Sequence, residues 1–446
     1  MPIHNGTPEL PEIPVPTCID GDKDLVYCPN KRLMKNLLLV EHGGDSKSFI
    51  FDMIQREDLM LFVAATYTPK WLLEYVPKER IIITDTYDTE KLIVSVQEYL
   101  RAQNISFEAV GTFYEHVVVQ TAALGEHLGV VHLSVEAAKR SSSNKLLMRQ
   151  TCAQAGIPTP KFITIENPSI ESLKDTLTSF GLPAVIKPIF GSQSYGVKKI
   201  ESEKTLEDDI KEIVDLTNQS KKEVFKNFNG IFLIEEYMSG KVVSVDGIVQ
   251  NGVTHIAGMV EFVMGPEPHF TQEANYIPAR LKDNTKHQCH EMARKIIAAL
   301  GFNNCGFHTE MRLTANGPVL IEIAARLPGG PLQLGYQKAF GYNLASNMIK
   351  VWLNESITLT KKYERFVLQK AVFPRQVSTV NEILGVDSAK VQEGVWDFVL
   401  ITKIGEETVT YPSIPKPLYY YAAEADSEKE LEILSENLEK SIDFVM

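Results

Sequence analysis

Apolar and polar residues alternate most regularly in two runs, residues 306–314 and 318–324, which are separated by Ala315-Asn316-Gly317. A period of two residues is typical of a β-strand, and a Gly in a short turn supplies the positive φ that a hairpin needs. The pattern predicts a β-hairpin centred on Asn316, with Glu310 directly opposite Glu322. One face would carry His308, Glu310, Arg312, Leu320, Glu322 and Ala324. The other face would belong to the core and carry Phe307, Thr309, Met311, Val319, Ile321 and Ile323.

The first third of the chain shows a different pattern, in which short apolar runs alternate with stretches of helical spacing. The strand candidates are residues 36–41, 59–65, 80–85 and 106–111, and the helix candidates are 46–56, 89–103 and 114–128. Strands that alternate with helices predict a parallel sheet with crossover helices, which is a Rossmann-like α/β unit. His42-Gly43-Gly44 follows the first strand without a G-x-G-x-x-G motif, so no dinucleotide site is expected there.

The remaining segments predict a mixture of helices and strands without internal repeats. Ser143 is the expected cap of a helix that ends near Ala155, before Gly156, Pro158 and Pro160. Strands are predicted over residues 182–190, 230–249 (two strands joined through Ser239-Gly240), 366–372, 393–404 and 408–411. Helices are predicted over residues 201–224, 287–300, 331–353 and 424–442.

Composition narrows the class of protein. The 446 residues suffice for roughly three domain-sized units, and 44% hydrophobic with 23% charged residues is ordinary for a globular protein. A net charge of −12 argues against nucleic acid or an anionic membrane as a partner. The five cysteines show no C-x-x-C spacing, which favours reduced thiols and a cytoplasmic location. No apolar run approaches the ~20 residues of a membrane span, and the Pro-rich N-terminus has no signal-peptide pattern.

Two carboxylates held opposite each other in a hairpin repel, so Glu310 and Glu322 call for a cation between them. Hard oxygen ligands suit Mg²⁺ that carries substrate phosphates, whereas the alternative is two solvated acids on an exposed face. Arg326 follows four residues after Glu322 and is able to meet a phosphate or carboxylate bidentately. Gly329 and Gly330 come next and allow close approach of the backbone to a ligand.

A second cationic position lies in the apolar run of residues 182–190, where a buried Lys187 requires an anionic partner. The loop Gly191-Ser192-Gln193-Ser194-Tyr195-Gly196 follows directly and offers N–H groups and hydroxyls to phosphate oxygens. The loop lacks the G-K-[ST] ending of a Walker motif, which disfavours a P-loop fold.

The stretch E-x-R…G-x-x-x-I-E-I-x-x-R-x-x-G-G, which spans Glu310 to Gly330, resembles the metal-binding hairpin of the ATP-grasp superfamily. Within that superfamily it is most similar to carboxylate–amine ligases that join amino acids, the L-amino-acid ligases, with carnosine-synthase-like enzymes as relatives. Two positions depart from the family pattern. Ala324 stands where most members have Asn, and Val242 stands where many have the acidic residue that holds ribose, for which Asp246 is a candidate substitute.

The resemblance implies an ATP-grasp fold between a Rossmann-like domain and a small β-rich C-terminal lid. The implied segments are an N-terminal arm (1–34), the Rossmann-like domain (35–135), the ATP-grasp domain (136–355, hinge near 235–242) and the lid (356–446). It also implies the roles of individual residues. ATP would contact Lys145, Lys187, Gly191, Ser192, Ser194, Gly196, Glu235, Glu236, Tyr237 and Met238. The metal ligands would be Glu310 and Glu322, the catalytic cations Arg326 and Lys187, and the substrate contacts His269, Glu273, Arg326, Gly329 and Gly330, with Arg280 as a weaker third loop candidate.

The expected reaction is ATP-dependent amide formation with Mg²⁺, or alternatively Mn²⁺. A carboxylate, expected to be that of an amino acid, would become an acyl phosphate, and the amine of a second amino acid would displace the phosphate. Three other readings stay open at this point: an ATP-grasp ligase of the purine-biosynthetic or peptidoglycan type, a carboxylase that acts on bicarbonate, and a non-catalytic ATP-binding regulator. The resemblance further implies a homodimer with small-molecule partners only.

Overall fold

The computed structural model describes residues 34–190, 196–202, 204–219, 230–268, 270–411, 413 and 415–446. The predicted N-terminal arm lies outside these residues except for Met34. Five positions of the predicted phosphate loop, including Gly191, Ser192 and Ser194, lie outside them as well, and so does His269.

The first domain contains a four-stranded sheet with helices on both sides. Its elements are β1 (Lys35–Val40), α1 (Phe49–Met53), β2 (Leu59–Ala65), β3 (Ile81–Ile83), α2 (Thr89–Gln103), β4 (Ala109–Gly111), α3 (Val118–Leu128) and α4 (Val135–Lys139). The strand order is β3-β2-β1-β4 and all pairs are parallel, which confirms the predicted Rossmann-like unit. Leu37, Leu38, Leu39 and Val40 are all fully buried, because a parallel sheet is covered on both faces.

A second, smaller sheet follows a linking helix. The elements are α5 (Lys145–Gln154), β5 (Phe162–Glu166), α6 (Ile170–Phe180), β6 (Ala184–Pro188), β7 (Lys198–Ile200), α7 (Leu206–Gln219) and β8 (Ile231–Glu236). The strand order is β5-β8-β6-β7, with antiparallel pairs. Asn144, and not Ser143 as predicted, caps α5, because its extended backbone lets its side chain accept the Leu147 N–H.

The chain leaves the small sheet after Glu236 and enters a large antiparallel sheet at Lys241. The elements of this part are β9 (Lys241–Gln250), β10 (Val253–Met264), β11 (Gln272–Ile277), α8 (Asp283–Leu300), β12 (Cys305–Thr314), β13 (Gly317–Ala324), α9 (Leu332–Phe340) and α10 (Leu344–Trp352). The predicted single helix over 331–353 is wrong, because Gly341 adopts a φ of +76° and ends α9.

The C-terminal residues contribute strands as expected. The elements are β14 (Phe366–Val372), β15 (Glu382–Leu384), α11 (Val386–Lys390), β16 (Val395–Leu400), β17 (Tyr419–Ala425), α12 (Glu428–Ser441) and β18 (Asp443–Val445). Three of these strands extend the large sheet, whose order is β13-β12-β9-β10-β11-β14-β17-β16. The predicted lid thus shares a sheet with the preceding domain. The predicted strand over 408–411 is not formed, and the predicted helix over 424–442 begins only after β17 ends.

One apolar core joins the first domain to the large sheet. Trp352 at the end of α10 lies against the end of β4, where a Cβ on Gly111 would come within 2.4 Å of the indole ring. The ring of Phe113 packs edge-on against the same indole, with 5.2 Å between centroids. This contact brings the carboxyl ends of β1 and β4 towards β13 and the turn that follows it.

Candidate active site

The hairpin β12–β13 has the predicted central pair, but its turn is one residue shorter than the predicted turn centred on Asn316. Thr314 faces Gly317 across a two-residue turn, and Glu310 faces Glu322. Gly317 has a φ of +106°, a conformation that favours glycine. The prediction that the two carboxylates lie opposite each other is confirmed.

A β-bulge after this pair changes the faces of β13. Met311 faces Leu320 instead of Ile321, so Leu320 is fully buried on the core side and not beside Glu322 as predicted. The buried guanidinium of Arg149 donates to the carbonyls of Leu320 (2.7 Å) and Ile321 (2.8 Å). Successive carbonyls of a regular strand point to opposite edges, so the bulge lets both meet one cation.

Arg149 also belongs to a buried ion cluster with two predicted ATP-binding residues. Glu235 lies 2.6 Å from Lys187 Nζ and 2.6 Å from Arg149 Nη2, and all three side chains are buried. Burial lowers the pKa of Lys187 although Glu235 opposes the change. Burial alone would raise the pKa of Glu235, but Arg149 and Lys187 hold it low. Lys187 therefore has the anionic partner that its burial requires.

Glu322 lies at the meeting point of several cations. Lys145 is buried, and its Nζ is 3.5 Å from Glu322 Oε2. Burial would raise the pKa of Glu322, but nearby positive charges outweigh it and lower the pKa. The contributing cations are Lys145, Lys187, His308 and Arg326. The first turn of α5, the strand β6, the hairpin and the turn after it thus converge on one carboxylate.

Glu310 is held from the other side by a buried hydrogen-bonded chain. His308 contacts Asp246 through Nδ1 (2.6 Å) and Glu310 through Nε2 (3.1 Å). Asp246, which is fully buried, also accepts from the hydroxyls of Tyr336 (2.6 Å) and Ser244 (2.9 Å). Burial would lower the pKa of His308, but the charge of Asp246 and the bonds to both carboxylates raise it to about 10. The His308 imidazole is then a cation that orients Glu310.

Asp246→Asn should destabilise the protein by about 2–3 kcal/mol, because three donors lose a charged acceptor in the core. Urea unfolding at neutral pH measures this loss, with Asp283→Asn as the matched control, since Asp283 is fully exposed. Equal stability of the two variants would contradict the role given to the buried chain.

Arg326 contacts the first domain. Its Nε is 2.6 Å from Glu115 Oε2, and its Nη1 donates to the Leu327 carbonyl at 2.8 Å. Ser142 donates to the other oxygen of Glu115 at 2.6 Å. Burial would raise the pKa of Glu115, but Arg326 and Ser142 outweigh it and lower the pKa. Glu115 therefore holds Arg326 in place as a carboxylate.

The segment between the small sheet and the large sheet contains the remaining predicted nucleotide residues. Glu236 ends β8, and Tyr237 and Met238 follow it, both partly buried. The Tyr237 hydroxyl donates to Glu267, and Lys199 Nζ lies 4.2 Å from the centre of its ring. Lys199 also pairs with Glu267 at 2.5 Å. These contacts tie the small sheet to the loop after β10.

The structure brings only some of the predicted substrate-contact residues to the candidate site. Gly329 and Gly330 follow Arg326, and Gly330 has a φ of +56°. Glu273 accepts a hydrogen bond from Tyr411 at 3.1 Å. Arg280 instead forms an ion pair with Glu261, with 3.1 Å between Nε and Oε2. Gly196, the last residue of the predicted loop, is buried with a φ of +73°.

Known proteins resemble this chain in sequence and in fold. Residues 180–332 match the family model described as an ATP-grasp domain. An uncharacterised protein of Sinorhizobium fredii is 25% identical over 95% of this chain and 86% of its own length. An alanine–anticapsin ligase of Bacillus subtilis is 27% identical, over 56% of this chain and 55% of that one. The crystal structure of an L-amino acid ligase from Bacillus licheniformis superposes with a TM-score of 0.75 at 20% identity, covering 93% of this chain and 99% of that one.

This chain has the ATP-grasp fold. It resembles the L-amino-acid ligases within that superfamily, as the hairpin motif predicted. The match to the anticapsin ligase spans about half of each protein.

The ATP-grasp hairpin offers a donor set that fits Mg²⁺ bound together with phosphates. Glu310 and Glu322 supply hard oxygens from facing strands. Across the part of the chain that the structure describes, no group of three or more His, Cys, Asp or Glu side chains is arranged to hold a metal ion. Ala324, opposite His308, adds no oxygen ligand, and Val242 is a buried apolar residue.

Several residues of this ATP-grasp site were not predicted from the sequence. Arg149 was given no role, and His308 was only placed on a face. Glu115 of the first domain was not named either. The signal for Glu115 is its position directly after β4, because ligands of open α/β sheets bind at the carboxyl ends of the strands.

Among the described residues, none forms a helix with both the length and the apolar character that crossing a membrane requires.

Proposed function

We propose that this chain is an ATP-dependent carboxylate–amine ligase that joins two amino acids. One substrate carboxylate attacks the γ-phosphate of ATP, which gives an acyl phosphate and ADP. The amine of the second substrate attacks the acyl carbon, an amide bond forms and phosphate leaves. The names of an alanine–anticapsin ligase and an L-amino acid ligase among the similar proteins support amino acids as the substrate class.

The observation that carries the proposal is the convergence of charge on Glu322. Four cations lower the pKa of this carboxylate against the effect of burial, and a second carboxylate, Glu310, faces it across the hairpin. A solvated surface pair of acids would lack the converging cations. A phosphoryl-transfer site needs both, because catalysis consists mainly of positioning and charge neutralisation.

In the first step the lysine side chains of the site bind phosphate oxygens of ATP. Lys145, on α5, pairs with Glu322, and Lys187, on β6, pairs with Glu235. Glu310 and Glu322 would hold Mg²⁺, which would neutralise negative charge on the phosphates of ATP. His308 and Asp246 fix Glu310 for this task.

In the second step a tetrahedral oxyanion forms at the acyl carbon. Arg326 is the cation proposed to stabilise it, because Glu115 and the Leu327 carbonyl fix its guanidinium beside the hairpin. The loop of residues 191–196 is proposed to exclude water, since an exposed acyl phosphate hydrolyses.

The experiment is ATP-dependent phosphate release with Mg²⁺, measured with single amino acids and with all pairs. Release that requires two particular amino acids is the expected result, together with a dipeptide of the matching mass. Release from bicarbonate, or from a purine precursor, would replace the proposal with a carboxylase or a purine-type ligase. Absence of release across the panel, with ATP bound in a separate titration, would favour the regulator.

A further inference from the structure

A lysine of the first domain faces the candidate site and has no part in the roles described so far. Lys47 follows Gly43-Gly44 at the carboxyl end of β1, in a short 3-10 turn over Asp45–Lys47. A Cβ on Gly43 would come within 2.5 Å of Lys47 Cδ, so glycine leaves the space in which the lysine side chain lies.

Contacts at the end of β4 direct the amine of Lys47 towards Arg326. Its Nζ donates to the Phe113 carbonyl at 2.9 Å and lies 5.1 Å from the centre of the Tyr114 ring. The next residue along the chain, Glu115, holds Arg326 at 2.6 Å. Lys47 therefore lies on the side of Arg326 that faces the first domain, and Arg326 is the cation proposed to stabilise the oxyanion.

Lys47 differs from the other cations of the site in its partners. Lys145, Lys187 and Arg326 each lie within 4 Å of a carboxylate. No ion pair of Lys47 is found in the described part of the chain; its Nζ bonds only to a neutral carbonyl there. A neutral amine keeps a lone pair while it donates one N–H, so this setting is compatible with an unprotonated Lys47.

The charges around Lys47 favour that state. Burial and, to a smaller extent, the charge of Arg326 lower the pKa of Lys47 to about 7, although Glu115 opposes them. The charges of Glu115 and Arg326 also act on His116, and burial lowers the pKa of this histidine as well. On the turn of Lys47 itself, Asp45 is bound to the Trp71 indole at 2.6 Å.

We propose that Lys47 is the general base of the amide-forming step and takes a proton from the attacking amine. An α-amino group carries its extra proton at neutral pH and is not nucleophilic in that form. The amine nitrogen bonds to the acyl carbon, the C–O bond to phosphate breaks, and phosphate leaves with the electron pair. Of the two protons that the ammonium group loses, one goes to Lys47 Nζ and then to solvent, and the other leaves with the phosphate. This role rests on the proposed ligase function.

The test separates the two chemical steps by replacing the amine with hydroxylamine. Hydroxylamine is largely unprotonated at neutral pH, so it traps an acyl phosphate as a hydroxamate without a base. Lys47→Met should lower dipeptide formation about 100-fold or more, as loss of a general base does, and leave hydroxamate formation within about threefold of wild type. Equal losses in both reactions, or an unchanged dipeptide rate, would overturn the proposal.

Lys47→Arg is the matched control, because arginine keeps a positive charge but does not act as a base at neutral pH. We expect it to lose dipeptide formation like Lys47→Met. Recovery of the dipeptide rate in Lys47→Arg would assign Lys47 an electrostatic role and overturn the proposal. A wild-type protein that forms neither hydroxamate nor dipeptide would instead overturn the ligase function, and the inference with it.

The pH profile gives an independent readout. The wild-type dipeptide rate should rise with pH and level off above about pH 7, where Lys47 is unprotonated. The rate of Lys47→Met should continue to rise about tenfold per pH unit up to the pKa of the substrate amine, following the fraction of free amine. A plateau at the same pH in both proteins would assign the base to another group such as His116.

Discussion

Glu322→Gln is expected to lower ATP-dependent phosphate release by about 1,000-fold or more while the protein stays folded. The substitution removes the carboxylate on which four cations converge, and with it one proposed ligand of Mg²⁺. A metal ion supplies several kcal/mol of charge stabilisation in such reactions, and each 1.36 kcal/mol is about tenfold in rate. Glutamine keeps the size of the side chain, so packing of the hairpin should not change.

The control is Glu393→Gln, since Glu393 is an exposed glutamate far along the chain from the hairpin. Circular dichroism and thermal unfolding of both variants establish that they fold. The assay is phosphate release over a Mg²⁺ titration, because a weakened metal site shifts the titration to higher concentration. Activity of Glu322→Gln close to that of the control, at ordinary Mg²⁺, would remove Glu322 from the metal site.

The parts of the fold that were predictable depend on local signals. The alternation in residues 306–324 and the Gly in its turn predict the hairpin, since the period of a strand is two. The pairing of Glu310 with Glu322 depends in addition on the bulge, because the two-residue turn alone would place Glu310 opposite Ile321. The helix α2, Thr89–Gln103, has its predicted bounds because Asp88 accepts the N–H groups of Glu90 and Lys91.

The bulge in β13 was not predictable, because its partner is distant in the sequence. Arg149 binds the carbonyls of Leu320 and Ile321, which lie 171 and 172 residues away. No pattern within residues 317–324 contains that contact. A one-residue shift of register moves a side chain to the other face, and Leu320 is buried for this reason.

The sequence identified charged residues more reliably than it identified their partners. Glu235 was predicted only as a contact of ATP, and its carboxylate was not expected to bind Lys187 and Arg149. Asp246 was interpreted as a strand residue or a ribose ligand, yet it binds His308 and Tyr336. Buried charges need partners, but which carboxylate serves which cation depends on three elements meeting in space.

The packing of the first domain explains why its contribution was not assigned to residues. Gly111 gives Trp352 the space to lie on the end of β4, and this contact brings Glu115 to Arg326. The two partners are separated by 211 positions in the chain. Each looks ordinary in its own segment, and only the docking of α10 brings them together.

Arg326→Ala is expected to lower kcat about 100- to 1,000-fold while the affinity for ATP changes by less than about threefold. Loss of one group that stabilises a developing oxyanion has this magnitude. Glu115 ties Arg326 to the first domain, whereas Tyr237 and Met238, which were predicted to contact ATP, follow the small-sheet strand β8, so ATP affinity in the ground state should depend little on Arg326. The measurements are kcat from phosphate release and the Kd of ATP from a binding titration.

Removing Arg326 also leaves Glu115 buried without its cation, which raises the pKa of Glu115 and destabilises this contact. Arg326→Lys separates the two effects, because lysine keeps a charge beside Glu115 but lacks the planar fork of donors. Arg326→Lys should recover most of the thermal stability and little of the rate. The control is the exposed Arg294→Ala, which should lose neither stability nor rate.

Equal losses in kcat and ATP affinity for Arg326→Ala would assign Arg326 to ATP binding. A full recovery of the rate in Arg326→Lys would mean that positive charge alone stabilises the oxyanion, without bidentate geometry.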